Sequence, residues 1–167
     1  EILDMGTGSG CVAVSLACYL KNCLVTGVDI SDQVLEISGF NASANGVDGR
    51  TRFIKSDLFS GLDRLSCKYD IIVSNPPYIP EGDIPGLQKE VRLFESLQAL
   101  NGGEDGLDFY RRIIREAPKF MNPGGVLAFE VGIDQSARVK NMMKEEYDHI
   151  RVIPDLSGID RVVIGTR

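Results

Sequence analysis

Apolar residues in this chain fall in short runs that end at polar or turn-forming residues, and stretches with helical spacing separate the runs. Apolar runs of strand length suit a parallel sheet, because both faces of its strands are buried. Five such runs lie at residues 1–5, 24–29, 52–55, 69–74 and 126–131. Strands that alternate with helices predict an α/β fold.

The segments between these runs predict helices. We expect them at about residues 11–20, 32–45, 87–93, 107–121 and 136–146. In the fourth helix, apolar residues recur every three or four positions from Leu107 to Met121, which indicates an amphipathic helix. Pro118 must kink or shorten this helix, because proline has no amide to donate. Residues 122–125 (N-P-G-G) predict a turn into the fifth strand.

Two further strands are predicted near the C-terminus, at residues 149–153 and 161–164. The joint between them, residues 154–158, is too short for a helical crossover, so the pair should be antiparallel. The predicted fold is therefore a mostly parallel seven-stranded sheet with an antiparallel C-terminal hairpin. We expect one domain over residues 1–167.

Composition points to a soluble, cytoplasmic protein. No run approaches the roughly 18 apolar residues of a membrane span, and no secretory leader is recognisable. Four cysteines, at positions 11, 18, 23 and 67, show no C-x-x-C spacing, and His149 is the single histidine. We therefore expect no metal site and reduced, mostly packed thiols.

The formal net charge is −6 at pH 7. Basic residues are scattered, and Arg111 and Arg112 are the only adjacent pair. Proteins that hold duplex nucleic acid through its phosphates normally carry a basic face. The charge therefore argues against a nucleic-acid partner without indicating another.

A glycine-rich loop follows the first strand, and its five residues are candidates for cofactor binding: Gly6, Thr7, Gly8, Ser9 and Gly10. Alternate glycines allow a tight turn and close approach of the backbone to a ligand. The amides at the start of the next helix favour a carboxylate or phosphate. Two cofactors fit, because G-x-G-x-x-A is a dinucleotide pattern and D-x-G-x-G-x-G is typical of enzymes that use S-adenosylmethionine.

The next two strand ends also carry candidate cofactor-binding residues. Asp29 follows the glycines by about 20 residues, where a carboxylate binds a ribose diol. If Asp29 binds the ribose, Ile30 would pack on the adenine. The alternative is that Asp29 is simply a carboxylate at a helix start. At the third strand end, Asp57 is a candidate acceptor for the adenine amino group and Leu58 a wall for the ring.

The fourth strand stops at a tetrad of residues 75–78, which are Asn75, Pro76, Pro77 and Tyr78. The prolines hold Asn75 extended at the edge of the sheet where ligands bind. The tetrad suits methylation of a planar nitrogen. The Asn75 side-chain carbonyl and the Pro76 main-chain carbonyl each accept one N–H of an NH₂ group, and Tyr78 packs against the flat substrate. An ordinary strand-ending turn is the alternative.

Residues 79–106 form a long segment rich in glycine, proline and acidic residues. Loops of this length beside a site usually bind or cover something. Glu130, at the end of the fifth strand, faces solvent or the site, and we favour solvent or a structural pairing.

The whole chain resembles the release-factor glutamine methyltransferases (the HemK/PrmC family), which have the Rossmann-like class I fold of S-adenosylmethionine methyltransferases. The tetrad alone is shared with adenine-N6 DNA methyltransferases. Two further segments, residues 99–107 and 155–161, narrow the resemblance to the release-factor enzymes. The matching segments are residues 2–10 (I-L-D-M-G-T-G-S-G), 28–31 (V-D-I-S), 56–59 (S-D-L-F), 74–79 (S-N-P-P-Y-I), 99–107 (A-L-N-G-G-E-D-G-L), 123–125 (P-G-G), 130–132 (E-V-G) and 155–161 (D-L-S-G-I-D-R).

The resemblance implies methyl transfer from S-adenosylmethionine, which leaves S-adenosylhomocysteine, to the side-chain amide nitrogen of the glutamine in the Gly-Gly-Gln motif of peptide-chain release factors. It implies cofactor contacts at residues 6–10, Asp29, Leu58 and Asn75, and substrate contacts at residues 75–78. No general base is implied, because the nitrogen loses its extra proton after it gains the methyl group. Position 58 is often aromatic in the family. The family's amino-terminal helical domain, which helps to recognise the release factor, and the start of the first strand are expected to lie outside this chain.

Three other functions remain open from the sequence. An adenine-N6 DNA or RNA methyltransferase would use the same tetrad on a flipped base. A non-catalytic module would bind S-adenosylmethionine and transfer nothing. A dinucleotide dehydrogenase is disfavoured, because the tetrad has no role in hydride transfer.

Overall fold

The computed structural model describes residues 1–63, 68–94 and 96–167 of the chain. Its strands are β1 (Ile2–Met5), β2 (Val25–Asp29), β3 (Thr51–Lys55), β4 (Tyr69–Ser74), β5 (Met121–Glu130), β6 (Asp148–Pro154) and β7 (Asp160–Thr166). Its α-helices are α1 (Cys11–Tyr19), α2 (Asp32–Ala44), α3 (Lys89–Phe94), α4 (Leu97–Leu100), α5 (Asp108–Glu116) and α6 (Ser136–Met143). The predicted alternation of strands and helices is confirmed.

All seven strands form one sheet in the order β3-β2-β1-β4-β5-β7-β6. The first five strands pair in parallel, and β7 is antiparallel to both β5 and β6. This arrangement confirms the predicted fold class and the antiparallel final pair. The chain first builds outward from β1 through β2 to β3, and then returns to the other side of β1 with β4. The order of strands therefore reverses at β1 and β4, and ligands bind at such a reversal in open α/β sheets.

The helix before β5 is shortened, as Pro118 predicts, so the helical pattern that was expected to reach Met121 is wrong at its C-terminal end. Helix α5 stops at Glu116, a 3₁₀ turn covers Ala117–Phe120, and Met121 already pairs with Tyr69 in the sheet. Pro118 lies in that turn, where its missing amide costs no α-helical hydrogen bond. The predicted turn at residues 122–125 is an irregularity inside β5, where the register to β4 shifts.

Helix α6 is shorter than predicted, because it ends at Met143 and not at Glu146. Glu145 and Glu146 would place negative charge at the negative end of the helix dipole, which disfavours continuation of the helix. Tyr147 is buried and its amide bonds to the Met143 carbonyl, so the chain turns there toward β6.

Residues 79–106 contain more regular structure than a long loop. A 3₁₀ turn (Glu81–Gly86), α3 and α4 lie within them, and Ile79 pairs with Asn101 in an isolated parallel bridge. The short helix expected at residues 87–93 corresponds to α3. Both ends of the segment therefore meet beside the tetrad.

Apolar side chains form a core on each face of the sheet. The larger core lies against α5 and α6 and includes Tyr110, Phe129 and Val139, whereas the smaller core lies against α1 and α2. No helix in residues 1–63, 68–94 and 96–167 is long and apolar enough to cross a membrane. The expectation of mostly packed thiols is wrong for Cys11 and Cys18, which are exposed, and Cys67 lies outside the described residues.

Asp4 is a buried carboxylate that links β1 to α1. It is 2% exposed, and its Oδ2 accepts hydrogen bonds from the Thr7 hydroxyl (2.7 Å) and the Ala13 amide (3.0 Å). Burial raises the pKa of the Asp4 carboxyl from 3.8 to about 6, although these two hydrogen bonds act in the opposite direction. The fold therefore keeps an acidic group whose charged form it penalises.

The pKa of Asp4 predicts how stability changes with pH. Below pH 4 the carboxyl is protonated in both states, and between pH 4 and pH 6 the unfolded chain ionises first. Its contribution to stability therefore falls as pH rises and is lost above pH 6. For a pKa raised from 3.8 to about 6, this amounts to about 3 kcal/mol.

We expect the variant Asp4→Asn to gain about 2–3 kcal/mol in unfolding free energy relative to the wild type between pH 4 and pH 7.5, because asparagine does not ionise. Urea denaturation at each pH measures this difference. A difference that is constant over this range would mean that Asp4 titrates alike in both states.

Candidate active site

Two loops leave the sheet side by side where the strand order reverses. Met5 and Ser74, the last residues of β1 and β4, are paired in register, and the Ser74 hydroxyl donates to the Met5 carbonyl at 2.8 Å. The glycine loop (residues 6–10) and the tetrad (residues 75–78) begin at the next positions. The structure therefore brings together the two motifs that the sequence singled out.

The glycine loop uses backbone conformations that disfavour side chains. Gly6, Gly8 and Gly10 have φ angles of 71°, 54° and 80°. A Cβ on Gly10 would lie 3.1 Å from the Cβ of Ser38 on α2. For Gly6 and Gly8, no heavy atom of the described residues lies within 4 Å of that position, apart from their immediate chain neighbours. The loop is thus closed against α2 on one side and open over Gly6 and Gly8, where a ligand has room.

Side chains from α2 fix this loop. The Ser38 hydroxyl donates to the Gly8 carbonyl at 2.7 Å, and the Asn41 amide donates to the Ser9 carbonyl at 2.9 Å. Thr7 is buried, and its hydroxyl is directed to Asp4. Of the candidate cofactor residues, Thr7 therefore has a clear structural role.

Asp29 holds the loop from the other side. One carboxylate oxygen accepts the Gly8 amide at 3.0 Å, and the other accepts the Ser31 amide at 3.1 Å. Ser31 is the N-cap of α2, so Asp29 is a helix-start carboxylate as well as an anchor for the loop. A carboxylate has about four lone-pair sites, so each oxygen keeps capacity for a ribose hydroxyl. The next residue, Ile30, is 56% exposed, which leaves an apolar surface beside Asp29.

The loop after β3 contains an ion pair and an unusual backbone conformation. The carboxylate of Asp57 accepts a hydrogen bond from Arg112 on α5 at 2.8 Å, an ion pair that the sequence did not indicate. Leu58 has a φ of 50°, which is rare for a residue with a side chain, and it packs in the core beside Phe59. Contacts of Asp57 and Leu58 with an adenine ring stay predictions.

The tetrad presents two oxygen acceptors that no described residue uses. Asn75 is exposed, and its side chain makes no hydrogen bond with residues 1–63, 68–94 or 96–167. Within the same ranges, no donor reaches the carbonyl of Pro76, although Pro76 itself is buried. These are the two groups that the sequence predicts as acceptors for an NH₂ group.

Tyr78 is partly buried against the larger core. Its ring lies over Gly132, where a Cβ would come within 2.9 Å of the ring carbon Cδ2. Nearby, the Tyr110 hydroxyl donates to the Glu130 carbonyl at 2.9 Å, and burial raises the pKa of Tyr110 far above its usual range. Tyr110 therefore stays protonated, and it is not a candidate base.

Two residues near these loops were not predicted from the sequence. Arg112 contacts Asp57, and Gln135 donates to the Tyr78 carbonyl at 2.8 Å. Arg112 has no sequence signal beyond its helical position. Gln135 follows the glycine of the E-V-G segment by three residues, and that spacing is the only available signal. Glu130 is partly buried, and none of the described residues forms an ion pair with it.

Relatives that match nearly the whole chain have a common name. A release factor glutamine methyltransferase of Bacillus cereus is 42% identical over 167 residues, which are 99% of this chain and 58% of that protein. The protein of the same name from Geobacter sulfurreducens is 44% identical over 165 residues, or 98% of this chain and 57% of the relative. The resemblance seen in the sequence is confirmed. The chain spans somewhat less than three fifths of these relatives.

Solved structures share the fold at low sequence identity. A methyltransferase from Pyrococcus furiosus has a TM-score of 0.71 with 21% identity. The matched part is 99% of this chain and 73% of the Pyrococcus chain. The 16S rRNA N2 G1207 methyltransferase of Thermus thermophilus, in complex with AdoMet and guanosine, has a TM-score of 0.68 with 18% identity. Here the matched part is 99% of this chain and 37% of the Thermus chain. These similarities confirm the Rossmann-like methyltransferase fold.

The profile of one protein family covers the part of the chain that holds both loops. The family is described as "Methyltransferase small domain", and its profile matches residues 1–95, more than half of the sequence. Those residues include the glycine loop, Asp29 and the complete tetrad. The chain therefore belongs to the methyltransferase small domain family.

Proposed function

We propose that this chain is the catalytic domain of a protein methyltransferase. It transfers the methyl group of S-adenosylmethionine to the side-chain amide nitrogen of the glutamine in the Gly-Gly-Gln motif of peptide-chain release factors. The relatives with this activity in their names match 98–99% of the chain, which supports the substrate class.

The observation that carries the proposal is the pair of acceptors in the tetrad to which none of the described residues donates. An amide nitrogen is a poor nucleophile, because its lone pair is delocalised into the carbonyl group. Hydrogen bonds from its two N–H groups to Asn75 Oδ1 and the Pro76 carbonyl fix its orientation. They also favour the positively charged nitrogen that forms at transfer more than the neutral nitrogen before it, and catalysis depends on this difference.

The residues around the glycine loop fit the proposed cofactor. S-adenosylmethionine supplies a methyl group on a positively charged sulfur. The open space over Gly6 and Gly8 has room for its methionine portion. The carboxylate of Asp29 accepts hydrogen bonds from the ribose hydroxyls, and exposed Ile30 offers an apolar surface to the adenine. Because the tetrad begins beside this loop, a substrate amide bound to it would lie next to the methyl donor.

No proton acceptor needs to act before the transfer. The nitrogen becomes more acidic once it carries the methyl group, so it releases its extra proton afterwards. His149, the single histidine of the sequence, lies in β6 at the outer edge of the sheet, well away from the reversal of strand order. The arrangement of groups thus agrees with a reaction that needs acceptors and no base.

The decisive experiment tests which macromolecule receives the methyl group. The whole protein that the gene encodes is incubated with S-adenosylmethionine carrying a labelled methyl group. Parallel reactions contain a release factor, the same factor with Gln→Ala in its Gly-Gly-Gln motif, or DNA and RNA. We expect label in the unmodified release factor alone. Label in nucleic acid would favour the adenine-N6 function, and binding of the cofactor without transfer would favour the non-catalytic module.

We expect Asn75→Ala to lower kcat by roughly 10²–10³-fold, because one of two acceptors is lost in the transition state. Affinity for S-adenosylmethionine should change less than about threefold. The matched control is Asn45→Ala, since Asn45 is also an exposed asparagine but caps the end of α2, where its side chain donates to the Asn41 carbonyl. Equal turnover by Asn75→Ala and the wild type would contradict the role of the acceptor.

We expect Asp29→Ala to weaken binding of S-adenosylmethionine by about tenfold or more, because the ribose loses its acceptor and Gly8 loses its anchor. Isothermal titration calorimetry measures the Kd. Asp32→Ala is the control, since this neighbouring carboxylate pairs with Lys55 at the surface and does not touch the loop. Similar affinities of the two variants would rule out the role of Asp29.

A further inference from the structure

The backbone that follows the tetrad is held by a segment remote in sequence. The Ile79 amide donates to the Leu100 carbonyl at 3.0 Å, the Gly102 amide donates to the Ile79 carbonyl at 2.9 Å, and the Glu81 amide donates to the Gly103 carbonyl at 2.9 Å. Residues 100–106 therefore run alongside residues 78–81. We call residues 100–106 the bracing segment.

Glycine allows this segment to approach the tetrad closely. A Cβ on Gly102 would lie 2.8 Å from both the Pro77 carbonyl oxygen and the Tyr78 Cα. A Cβ on Gly106 would lie 2.4 Å from the Tyr78 carbonyl oxygen. Real Cβ atoms do not approach backbone atoms so closely, so any side chain here would displace the tetrad.

Gln135 bonds to both the tetrad and the bracing segment. It is 8% exposed, its Nε2 donates to the Tyr78 carbonyl (2.8 Å) and to the Gly106 carbonyl (3.4 Å), and its Oε1 accepts the Gly132 amide (3.1 Å). One side chain thus connects the tetrad, the bracing segment and the turn before α6.

The three partners of Gln135 require a carboxamide. Two of them are carbonyl oxygens, which need a donor, and the third is an amide, which needs an acceptor. Only a carboxamide, or a protonated carboxylic acid, carries a donor and an acceptor on one planar group of this length. An apolar side chain leaves all three backbone groups without this partner, and an ionised carboxylate cannot donate.

Helix α6 also anchors the bracing segment through charge. Arg138, one turn after Gln135, pairs with Asp105, which accepts two further hydrogen bonds from Arg111 on α5. The Arg111 guanidinium holds the pKa of Asp105 far below its usual range. The segment that receives the Gln135 side chain is therefore itself fixed to two helices.

We propose that Gln135 is a positioning residue for methyl transfer. It holds the Tyr78 carbonyl, and through it the tetrad backbone, so that Asn75, the Pro76 carbonyl and the Tyr78 ring are in place before the substrate amide binds. This role rests on the proposed function. None of the hydrogen bonds described for Gln135 reaches the glycine loop. We therefore expect it to affect the position of the substrate amide and not the binding of S-adenosylmethionine.

The variants that test the role are Gln135→Leu, which removes every polar contact, and Gln135→Glu, which restores the donor only when it is protonated. The matched control is Ser136→Ala. Ser136 is also buried, and its hydroxyl bonds to Asp160 at 2.6 Å, so its loss removes a neighbouring hydrogen bond that does not reach the tetrad. All are made in the whole protein, with kcat, KM, Kd for S-adenosylmethionine and Tm measured for each.

We expect Gln135→Leu to lower kcat roughly 10- to 100-fold, because small displacements of catalytic groups have effects of this size. The Kd for S-adenosylmethionine should change less than about threefold. Ser136→Ala should lower Tm comparably and keep the wild-type kcat. An unchanged kcat for Gln135→Leu, or an equal fall for Ser136→Ala, would overturn the proposal.

The pH profile of Gln135→Glu gives a second test, which decides the matter if Gln135→Leu does not fold. Burial raises the pKa of a carboxyl group, so the introduced acid should protonate as pH falls from 8 to 6 and then donate to the Tyr78 carbonyl. We expect the activity of Gln135→Glu relative to the wild type to rise at least threefold over this range. A ratio that does not change with pH would contradict the role.

Hydrogen exchange separates this proposal from the proposed function. If the wild-type protein methylates no release factor, the proposed function fails, and the effect of Gln135 on the tetrad is read from the amides of Ile79 and Gly102. Gln135→Leu should accelerate their exchange at least tenfold, whereas Ser136→Ala should not. Equal exchange in the two variants would overturn the positioning role.

Discussion

The pairing of β1 with β4 is the interaction on which the site depends. Adjacent strands of a sheet lie roughly 5 Å apart, and Met5 and Ser74 end their strands at the same level. The loop proposed to bind the methyl donor and the loop proposed to bind the substrate amide therefore begin within one strand spacing of each other. Reacting atoms must approach to about 3–3.5 Å, so the sheet itself supplies most of the required proximity.

Polar side chains around the site mainly hold backbone. Asp4, Asp29 and Ser38 bond to groups of the glycine loop and its flanks, and Gln135 bonds to the tetrad and its neighbours. Buried polar networks whose members are all satisfied give rigidity, because each broken contact leaves an unpaired group in a medium of low dielectric constant. The proposed site therefore consists largely of backbone atoms and the exposed Asn75 amide, and among these supporting side chains Asp29 alone is also proposed to contact a ligand.

Much of this was accessible from the sequence, because the relevant signals are local. Strand runs, the glycine loop, Asp29 and the tetrad each occupy a few adjacent residues, and parallel topology brings strand ends to one edge without further information. The features that the sequence did not indicate involve contacts between distant residues. Met121 continues a helical pattern but is drawn into the sheet by Tyr69. The ion pair between Asp57 and Arg112 joins residues 55 positions apart, so no local pattern indicated it.

Exposed thiols and Gln135 were missed for a related reason. Cys11 and Cys18 lie on α1, whose sequence is almost entirely apolar. The sequence therefore does not indicate which side of this helix faces solvent, or that the two thiols lie on that side. Gln135 takes its meaning from three backbone groups in other parts of the chain. No local pattern specifies such partners, whereas the tertiary structure shows them directly.

The wide separation of these partners along the chain has a consequence for synthesis. The ribosome adds about 5–20 residues per second, and Gln135 follows Tyr78 by 57 residues. The glycine loop, β4 and the tetrad are therefore all made well before the side chain that secures them. A nascent chain that ends before α6 has the glycine loop and the tetrad but lacks Gln135, the side chain that we propose to position the tetrad, so under the proposed function methyl transfer requires synthesis to continue past this residue.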